Sequence, residues 1–181
     1  MKIRETDRHG VRLIEPERHE DDRGFFARTW CVDEFQKHGL NPDLVQCSVS
    51  FNRAAGTVRG MHWQASPHGE SKLVRCTAGA ILDVVVDVRP ESATYLQTFT
   101  ANLTAQNHNA LYIPEGFAHG FQTLEDGSEV FYQISSAFCP DAARGMRWND
   151  PSIDLTWPIP ISVISDRDAN YPDLAVSETV R

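Results

Sequence analysis

The stretch TVRGMHWQASPHGESKLVRCTAGAILDVVVDVR, residues 57–89, decides the fold. It contains three short runs in which apolar and polar residues alternate or β-branched residues accumulate, and Pro, Gly and Ser separate these runs. Runs of this kind predict β-strands joined by turns. The last run, AILDVVVDVR (80–89), is apolar enough for a central strand that is covered on both faces. Asp83 interrupts it and therefore requires a cationic partner or a polar cavity.

Further runs of the same kind lie on both sides of this stretch. They are VRLIEPER (11–18), DDRGFFARTW (21–30), LVQCSVSFNR (44–53), YLQTFTANLT (95–104), NALYIP (109–114), FAHGFQTLE (117–125) and EVFYQISSAF (129–138). Such closely spaced strands predict antiparallel sheets folded on one another as a sandwich or a barrel. One short helix is expected over VDEFQKHGL (32–40), where Gly39 occupies the stop position.

Length and composition limit the classes of function. The 181 residues predict one domain, 1–181, and the net charge of −8 without a basic stripe argues against a nucleic-acid partner. No apolar run reaches about 18 residues, so no membrane span is expected. The polar N-terminus and four scattered cysteines lead us to expect reduced thiols in the cytoplasm. The Pro- and Asp-rich segment from about residue 149 onward is expected to wrap the domain and to deliver residues to a pocket.

Five side chains make a coherent chemical set. Arg59, His62 and Lys72 lie in a short span, and Tyr132 and Asp168 lie far downstream, where they could complete the same pocket. A histidine base, a tyrosine acid, a lysine and an arginine suit proton abstraction next to a carbonyl on a negatively charged substrate. In a regular strand, however, Arg59 points to the face opposite His62, unless Gly60 introduces a bulge.

A metal site has weaker support. His62, His68, His119 and Glu70 are possible ligands, but the chain has no HxH pair, and Gln64 stands where a second histidine of a strand site would be. No metal is therefore expected. Motifs for a serine nucleophile, a dinucleotide or a P-loop are absent from the sequence as well.

Several blocks together resemble the nucleotide-sugar epimerases typified by dTDP-4-dehydrorhamnose 3,5-epimerase, over about residues 14–174. The blocks are DDRGFF (21–26), GTVRGMHWQ (56–64), PHGESKLVR (67–75), DVVVDVRP (83–90), IPEGFAHGF (113–121), FYQ (131–133), RGMRWNDP (144–151) and ISDRD (164–168). The resemblance implies an all-β, cupin-type jelly roll, a double antiparallel sheet with a few short peripheral helices. It also implies no cofactor, no metal, and a homodimer whose N-terminal strands are exchanged.

The resemblance assigns roles to individual residues. It makes His62 the catalytic base, Asp168 the carboxylate that orients this base, Tyr132 the general acid and Lys72 the group that stabilises an enolate. The substrate-binding residues that we expect are Arg59, His119, Arg23, Phe26, Arg28, Gln46, Asp83 and Phe138. Of these, Arg59 would hold the diphosphate, and Arg23 and Phe26 would contact the nucleotide in the partner subunit's site.

Two positions depart from the family pattern. Arg28 stands where many members carry glutamate near the nucleotide base, and a guanidinium donates hydrogen bonds but accepts none. We therefore hypothesise a base richer in acceptors than thymine, such as cytosine or guanine. Phe138 stands where tyrosine is common near the sugar, which leaves open whether C3, C5 or both are inverted.

The expected function is epimerisation of a nucleoside-diphosphate-linked 4-keto-6-deoxyhexose at C3 and/or C5. Two alternatives come from other classes: a non-catalytic nucleotide-sugar-binding jelly roll, and a metal-dependent cupin oxygenase or isomerase. The joint presence of a base and an acid argues against the first alternative, because binding alone requires neither. Stoichiometric iron or manganese in the purified protein would favour the second.

Overall fold

Strands dominate the chain, whose computed structural model describes residues 1–7 and 10–174. The strands are β1 (Lys2–Glu5), β2 (Arg12–Glu15), β3 (His19–Asp21), β4 (Gly24–Phe26), β5 (Gln46–Asn52), β6 (Thr57–Gln64), β7 (Lys72–Ala78), β8 (Ala80–Asp87), β9 (Thr98–Thr104), β10 (Ala110–Ile113), β11 (Phe117–Thr123), β12 (Ser128–Ile134), β13 (Ala143–Gly145) and β14 (Val163–Ile164). The helices are α1 (Val32–Lys37) and α2 (Asp166–Ala169), with a single 3₁₀ turn at Pro140–Ala142. No helix among these residues is long and apolar enough to cross a membrane.

Two six-stranded sheets form the body of the fold. The first sheet has the order β1-β2-β10-β7-β12-β5, and the second has the order β13-β6-β11-β8-β9 with β14 added to β6. Neighbouring strands are antiparallel except β14, which runs parallel to β6. Strands β3 and β4 form a separate hairpin. This arrangement confirms the predicted all-β jelly roll with short peripheral helices.

The main core lies between the two sheets. Val74 and Val130 from the first sheet and Val85 and Phe121 from the second are fully buried in one apolar cluster. Because burial of such side chains stabilises the fold by roughly 1.5–3 kcal/mol each, the sheets are held face to face by this layer. Strand β8 is buried on both of its faces, as predicted.

Two smaller clusters cover the outer faces of the sheets. Phe35 of α1 packs on Tyr112 behind the first sheet, with ring centroids 5.8 Å apart. Val84 of β8 packs behind the second sheet with Met146 and Ile153 from the C-terminal segment.

The predicted runs leave out the short strands β1, β13 and β14, and they contain only the last residue of β3. Two of these, β13 and β14, tie the chain after residue 142 to β6.

A bulge in β6 decides which side chains share the inner face. His62 pairs with His119 and Arg59 pairs with Phe121, so Gly60 and Met61 together stand opposite one residue of β11. Gly60 has φ +120°, a conformation that favours glycine. As a result Arg59 and His62 face the same side. The regular-strand expectation, which put Arg59 on the other face, is wrong, and the bulge that we considered as its alternative is present.

We expect Gly60→Ala to lower the free energy of unfolding substantially. A Cβ there would lie 2.5 Å from the Gly120 Cα and 2.8 Å from the His119 carbonyl oxygen. Gly24→Ala is the matched control, because Gly24 has φ +123° but no neighbour within 4 Å of an added Cβ. Backbone strain alone costs about 1–3 kcal/mol at either site, and the collision adds to it only at Gly60. Equal losses in urea unfolding would show that the close approach to β11 is unimportant.

Candidate active site

One cavity of about 500 Å³ opens between the two sheets. This volume lies within the range of small-molecule sites. The first sheet supplies Gln46, Lys72 and Tyr132; the second supplies Arg59, His62 and His119; and Phe138 and Asp168 complete this part of the lining. Eight of the twelve residues predicted from the sequence therefore line one cavity.

His62 and Asp168 form a hydrogen-bonded pair on one wall. The His62 Nε2 lies 2.7 Å from the Asp168 Oδ1, and the Gly60 backbone N–H donates to the Asp168 Oδ2 at 3.1 Å. Asp168 lies in α2, whose N-terminus is capped by the Ser165 hydroxyl. Burial opposes ionisation of Asp168, but these hydrogen bonds and the attraction of His62 outweigh it and hold the pKa of Asp168 below its ordinary value.

This pairing fixes the state of the imidazole. A carboxylate accepts from Nε2–H, so the proton of neutral His62 stays on Nε2 and Nδ1 is left with a free lone pair. Nδ1 makes no hydrogen bond to residues 1–7 or 10–174. The His62 side chain is 40% exposed, whereas that of Asp168 is 7% exposed. His62 is therefore an accessible base with a buried orienting group.

Tyr132 stands on the facing sheet. It lies in β12, while His62 lies in β6, so the two rings belong to opposite walls of the cavity. The ring of Tyr132 packs edge-on against His119, with centroids 5.8 Å apart. Burial, reinforced by the charge of Asp83, raises the pKa of Tyr132 well above its ordinary value. The phenol therefore stays protonated and is an acid rather than a base.

Lys72 bridges the two sheets. Its Nζ donates to the His62 carbonyl oxygen at 3.2 Å and pairs with the Glu70 carboxylate at 3.0 Å. The residue is 8% exposed, yet it lines the cavity. Its ammonium group is thus a nearly enclosed positive charge that faces the space between His62 and Tyr132.

Two further side chains from the second sheet face the cavity with defined partners. Arg59 donates from Nε to the Asn52 side chain at 2.7 Å, which fixes one edge of the guanidinium. His119 pairs through Nε2 with the Asp83 Oδ1 at 2.7 Å. Asp83 has no exposed surface and lies outside the cavity lining. The expectation of a direct substrate contact by Asp83 is therefore corrected: its contact is with His119, as expected for a buried carboxylate that needs a partner.

The structure separates three predicted residues from the cavity. Arg23 and Phe26 lie on the β3–β4 hairpin, where Arg23 pairs with Asp21 and Phe26 is 76% exposed. Arg28 follows the hairpin and pairs with Glu34 at 3.1 Å on the outer surface. None of the three lines the cavity of their own chain. Their predicted contacts with a nucleotide therefore require a second subunit.

Phe138 lies at the edge of the cavity and is 60% exposed. Its backbone N–H donates to the Gln46 Oε1 at 3.1 Å, and the next N–H, of Cys139, donates to the Gln64 Oε1 at 2.6 Å. Gln64 also donates to the His68 and Ala137 carbonyl oxygens. Gln64 is thus a structural clamp for the segment that carries Phe138, a role that strand alternation does not reveal.

The donor groups in the cavity do not form a set of metal ligands. Among residues 1–7 and 10–174, no three His, Cys, Asp or Glu side chains come together as ligands would.

Sequence reasoning also missed two residues, which contact Lys72 and His62. Glu70 was considered only as a metal ligand, although it stands two positions before Lys72. Tyr171 packs edge-on against His62 at 6.0 Å, and no motif in the sequence pointed to it.

Comparison with known proteins gives one consistent result. The sequence pattern of the dTDP-4-dehydrorhamnose 3,5-epimerase family matches residues 5–176. The dTDP-4-dehydrorhamnose 3,5-epimerase of Sinorhizobium fredii is 40% identical over 165 residues, which cover 91% of this chain and 85% of the relative.

Two solved structures show the same likeness. The dTDP-4-dehydrorhamnose 3,5-epimerase of Bacillus anthracis with TDP and PPi bound has a TM-score of 0.92 and 38% identity, with coverage of 96% of this chain and 99% of that chain. The dTDP-6-deoxy-D-glucose-3,5-epimerase of Legionella pneumophila in complex with dTDP-4-keto-L-rhamnose has a TM-score of 0.86 and 31% identity, with coverage of 93% and 89%.

We expect Tyr132 to remain protonated when most tyrosines ionise, because its pKa is raised above the ordinary value of 10.0. The near-ultraviolet absorbance of tyrosinate should therefore be the same in the wild type and in Tyr132→Phe up to about pH 11, a pH at which ordinary tyrosines, with a pKa of about 10, are already mostly ionised. Near-ultraviolet circular dichroism at each pH checks that both proteins stay folded. A smaller tyrosinate signal in the variant would mean that Tyr132 titrates with the others and that burial does not protect it.

Proposed function

We propose a catalytic mechanism for this chain, which belongs to the dTDP-4-dehydrorhamnose 3,5-epimerase family. As a member of this family it is an isomerase that epimerises a nucleoside-diphosphate-linked 4-keto-6-deoxyhexose. The observation that carries the mechanism is the placement of His62 and Tyr132 on opposite walls of one cavity. A hexose ring between these walls would present one face to a base and the other face to an acid.

His62 removes the proton. The 4-keto group acidifies the C–H bonds at C3 and C5, and the free Nδ1 of His62 accepts one of these protons. Asp168 keeps the other ring nitrogen engaged and stabilises the imidazolium that forms, as the aspartate of a catalytic triad does. Family membership supports this reaction over the binding-only and metal-dependent alternatives.

Lys72 stabilises the intermediate. When the proton leaves carbon, negative charge moves onto the oxygen of the 4-keto group and an enolate forms. A fixed ammonium group in a nearly enclosed site lowers the energy of that charge more than water does, because it needs no reorganisation. Arg59 is the second cation in the cavity, and we assign it to the diphosphate, where a charge-assisted bond is strongest.

Tyr132 completes the inversion. Its hydroxyl donates a proton to the same carbon from the opposite face, so the centre inverts. The cycle closes when the imidazolium releases the abstracted proton and the tyrosinate recovers one, both through water. The raised pKa of Tyr132 makes the tyrosinate a strong base, which favours its rapid reprotonation.

We also propose that the chain forms a homodimer in the cytoplasm. Strand β5 is an edge strand whose exposed side chains include Val49 and Phe51, and such an edge favours pairing with another copy. Strands β1 and β2 already pair within their own sheet, so the hairpin β3–β4 is the part left to reach the partner. It would bring Arg23 and Phe26 to the nucleotide of the other subunit.

The four cysteines are unpaired, which suits a reducing compartment such as the cytoplasm.

Solvent deuterium exchange tests the two catalytic roles. We expect His62→Ala to lose deuterium entry at C3 and C5 by at least about 10²-fold, because a general base typically contributes 10²–10⁴-fold to proton transfer. Tyr132→Phe should keep much of this exchange but lose net inversion. NMR of the sugar reads both quantities and also shows whether C3, C5 or both exchange. Normal epimerisation by His62→Ala would rule the mechanism out.

A Phe138→Tyr variant in the same assay shows whether the hydroxyl that phenylalanine lacks determines which of C3 and C5 is epimerised.

Calorimetry tests the nucleotide base. Because Arg28 only donates hydrogen bonds, we expect CDP or GDP to bind more tightly than dTDP, by about 1–3 kcal/mol for a bidentate contact. Arg28→Glu should reverse this preference. The hypothesis fails if dTDP binds the wild type at least as tightly as CDP and GDP do.

A further inference from the structure

Glu70 lies in the cavity and has no part in the mechanism above. It lines the same space as His62 and Tyr132, and its side chain is only 11% exposed. A carboxylate at this depth is costly to bury and repels an anionic substrate unless a cation compensates it. The Glu70 Oε1 lies 3.0 Å from the Lys72 Nζ, and that contact is its one ion pair among the described residues.

The geometry around Lys72 shows what this pairing does. An ammonium group carries three N–H donors. One N–H donates to the His62 carbonyl oxygen at 3.2 Å, and the Glu70 Oε1 lies 3.0 Å from the Nζ as its ion-pair partner, which leaves donor capacity for the cavity. The lysine side chain is a flexible four-carbon stem, and the hydrogen bond to one segment together with the ion pair to another restricts the position of its ammonium group. Removing the Glu70 acceptor would leave only the carbonyl to hold it.

We infer that Glu70 is a positioning residue that aims the free N–H of Lys72 at the oxygen on which the enolate charge develops. This inference rests on the proposed function, since it needs an enolate to form beside Lys72. Glu70 acts through Lys72 and not on the substrate. Stabilisation of a developing charge depends on a donor that is already in place, and a displacement of about 1 Å can cost up to 10²-fold in rate.

Two conservative variants separate position from charge. Glu70→Gln keeps the length and the acceptor oxygen but removes the charge, whereas Glu70→Asp keeps the charge but withdraws the acceptor by one methylene. Positioning predicts a kcat within about threefold of wild type for Glu70→Gln and about tenfold lower for Glu70→Asp, with KM changed less than kcat in both. The reverse order, with Glu70→Asp normal and Glu70→Gln impaired, would overturn the inference and leave Glu70 as a counter-charge.

A double-mutant cycle shows whether Glu70 acts through Lys72. Lys72→Met removes the ammonium group, so Glu70→Asp should then lower kcat no further than about twofold. If the decreases in kcat caused by Glu70→Asp and Lys72→Met multiply, Glu70 acts by another route and the inference fails.

Glu91→Gln, at an exposed glutamate, is the matched control for the loss of a negative charge. Unfolding of every variant in urea checks the fold, and Glu70→Ala replaces Glu70→Asp in the same comparison if the latter does not fold.

Failure of the proposed function and failure of the role of Glu70 give different results. Deuterium entry at C3 or C5 in the wild type is measured first, and its absence counts against the proposed function. An active wild type with multiplicative losses, or with Glu70→Asp faster than Glu70→Gln, counts against the role of Glu70 alone.

Discussion

The bulge at Gly60 and Met61 is the constraint on which the site depends. It adds one residue to β6 opposite β11, and it thereby turns Arg59 to the same inner face as His62. Glycine is required at position 60 because β6 and β11 approach so closely that a Cβ there would collide with Gly120. The Gly60 backbone N–H, freed from ladder pairing, donates to Asp168 instead. One local irregularity therefore places a cation and a base in the cavity and helps to hold the carboxylate behind that base.

Contacts between different segments of the chain hold the charged groups of the cavity. His62 is joined to Asp168 from the C-terminal segment, and Lys72 of the first sheet is joined to a carbonyl of the second. Buried charges are tolerated only when they are paired, and breaking one such pair typically costs several kcal/mol. The same pairs that make burial possible also fix the orientation of each group. Stability and catalytic geometry thus depend on the same contacts, and a variant at either position is expected to change both.

Sequence reasoning predicted the fold class and the main strands because apolar alternation directly reflects burial. The chemistry of the side chains pointed to His62, Lys72, Tyr132 and Asp168, the resemblance to a family assigned their roles, and the structure brings all four to one cavity. The side occupied by Arg59 could not be predicted, since the bulge depends on contact between two strands nearly sixty residues apart. The depth of Asp83 also depends on tertiary packing, which is why a direct substrate contact was expected and a contact with His119 was found. Composition gives no sign that Arg28 pairs with Glu34 on the outer surface.

The most direct test of the central claim is a crystal structure of the protein with a nucleotide-linked 4-keto-6-deoxyhexose bound. The account predicts the sugar ring between the sheets, with the His62 Nδ1 and the Tyr132 hydroxyl each about 3–3.5 Å from the same ring carbon and on opposite faces of the ring. A sugar that contacts both side chains from one face, or that leaves either of them outside contact distance of C3 and C5, would contradict it.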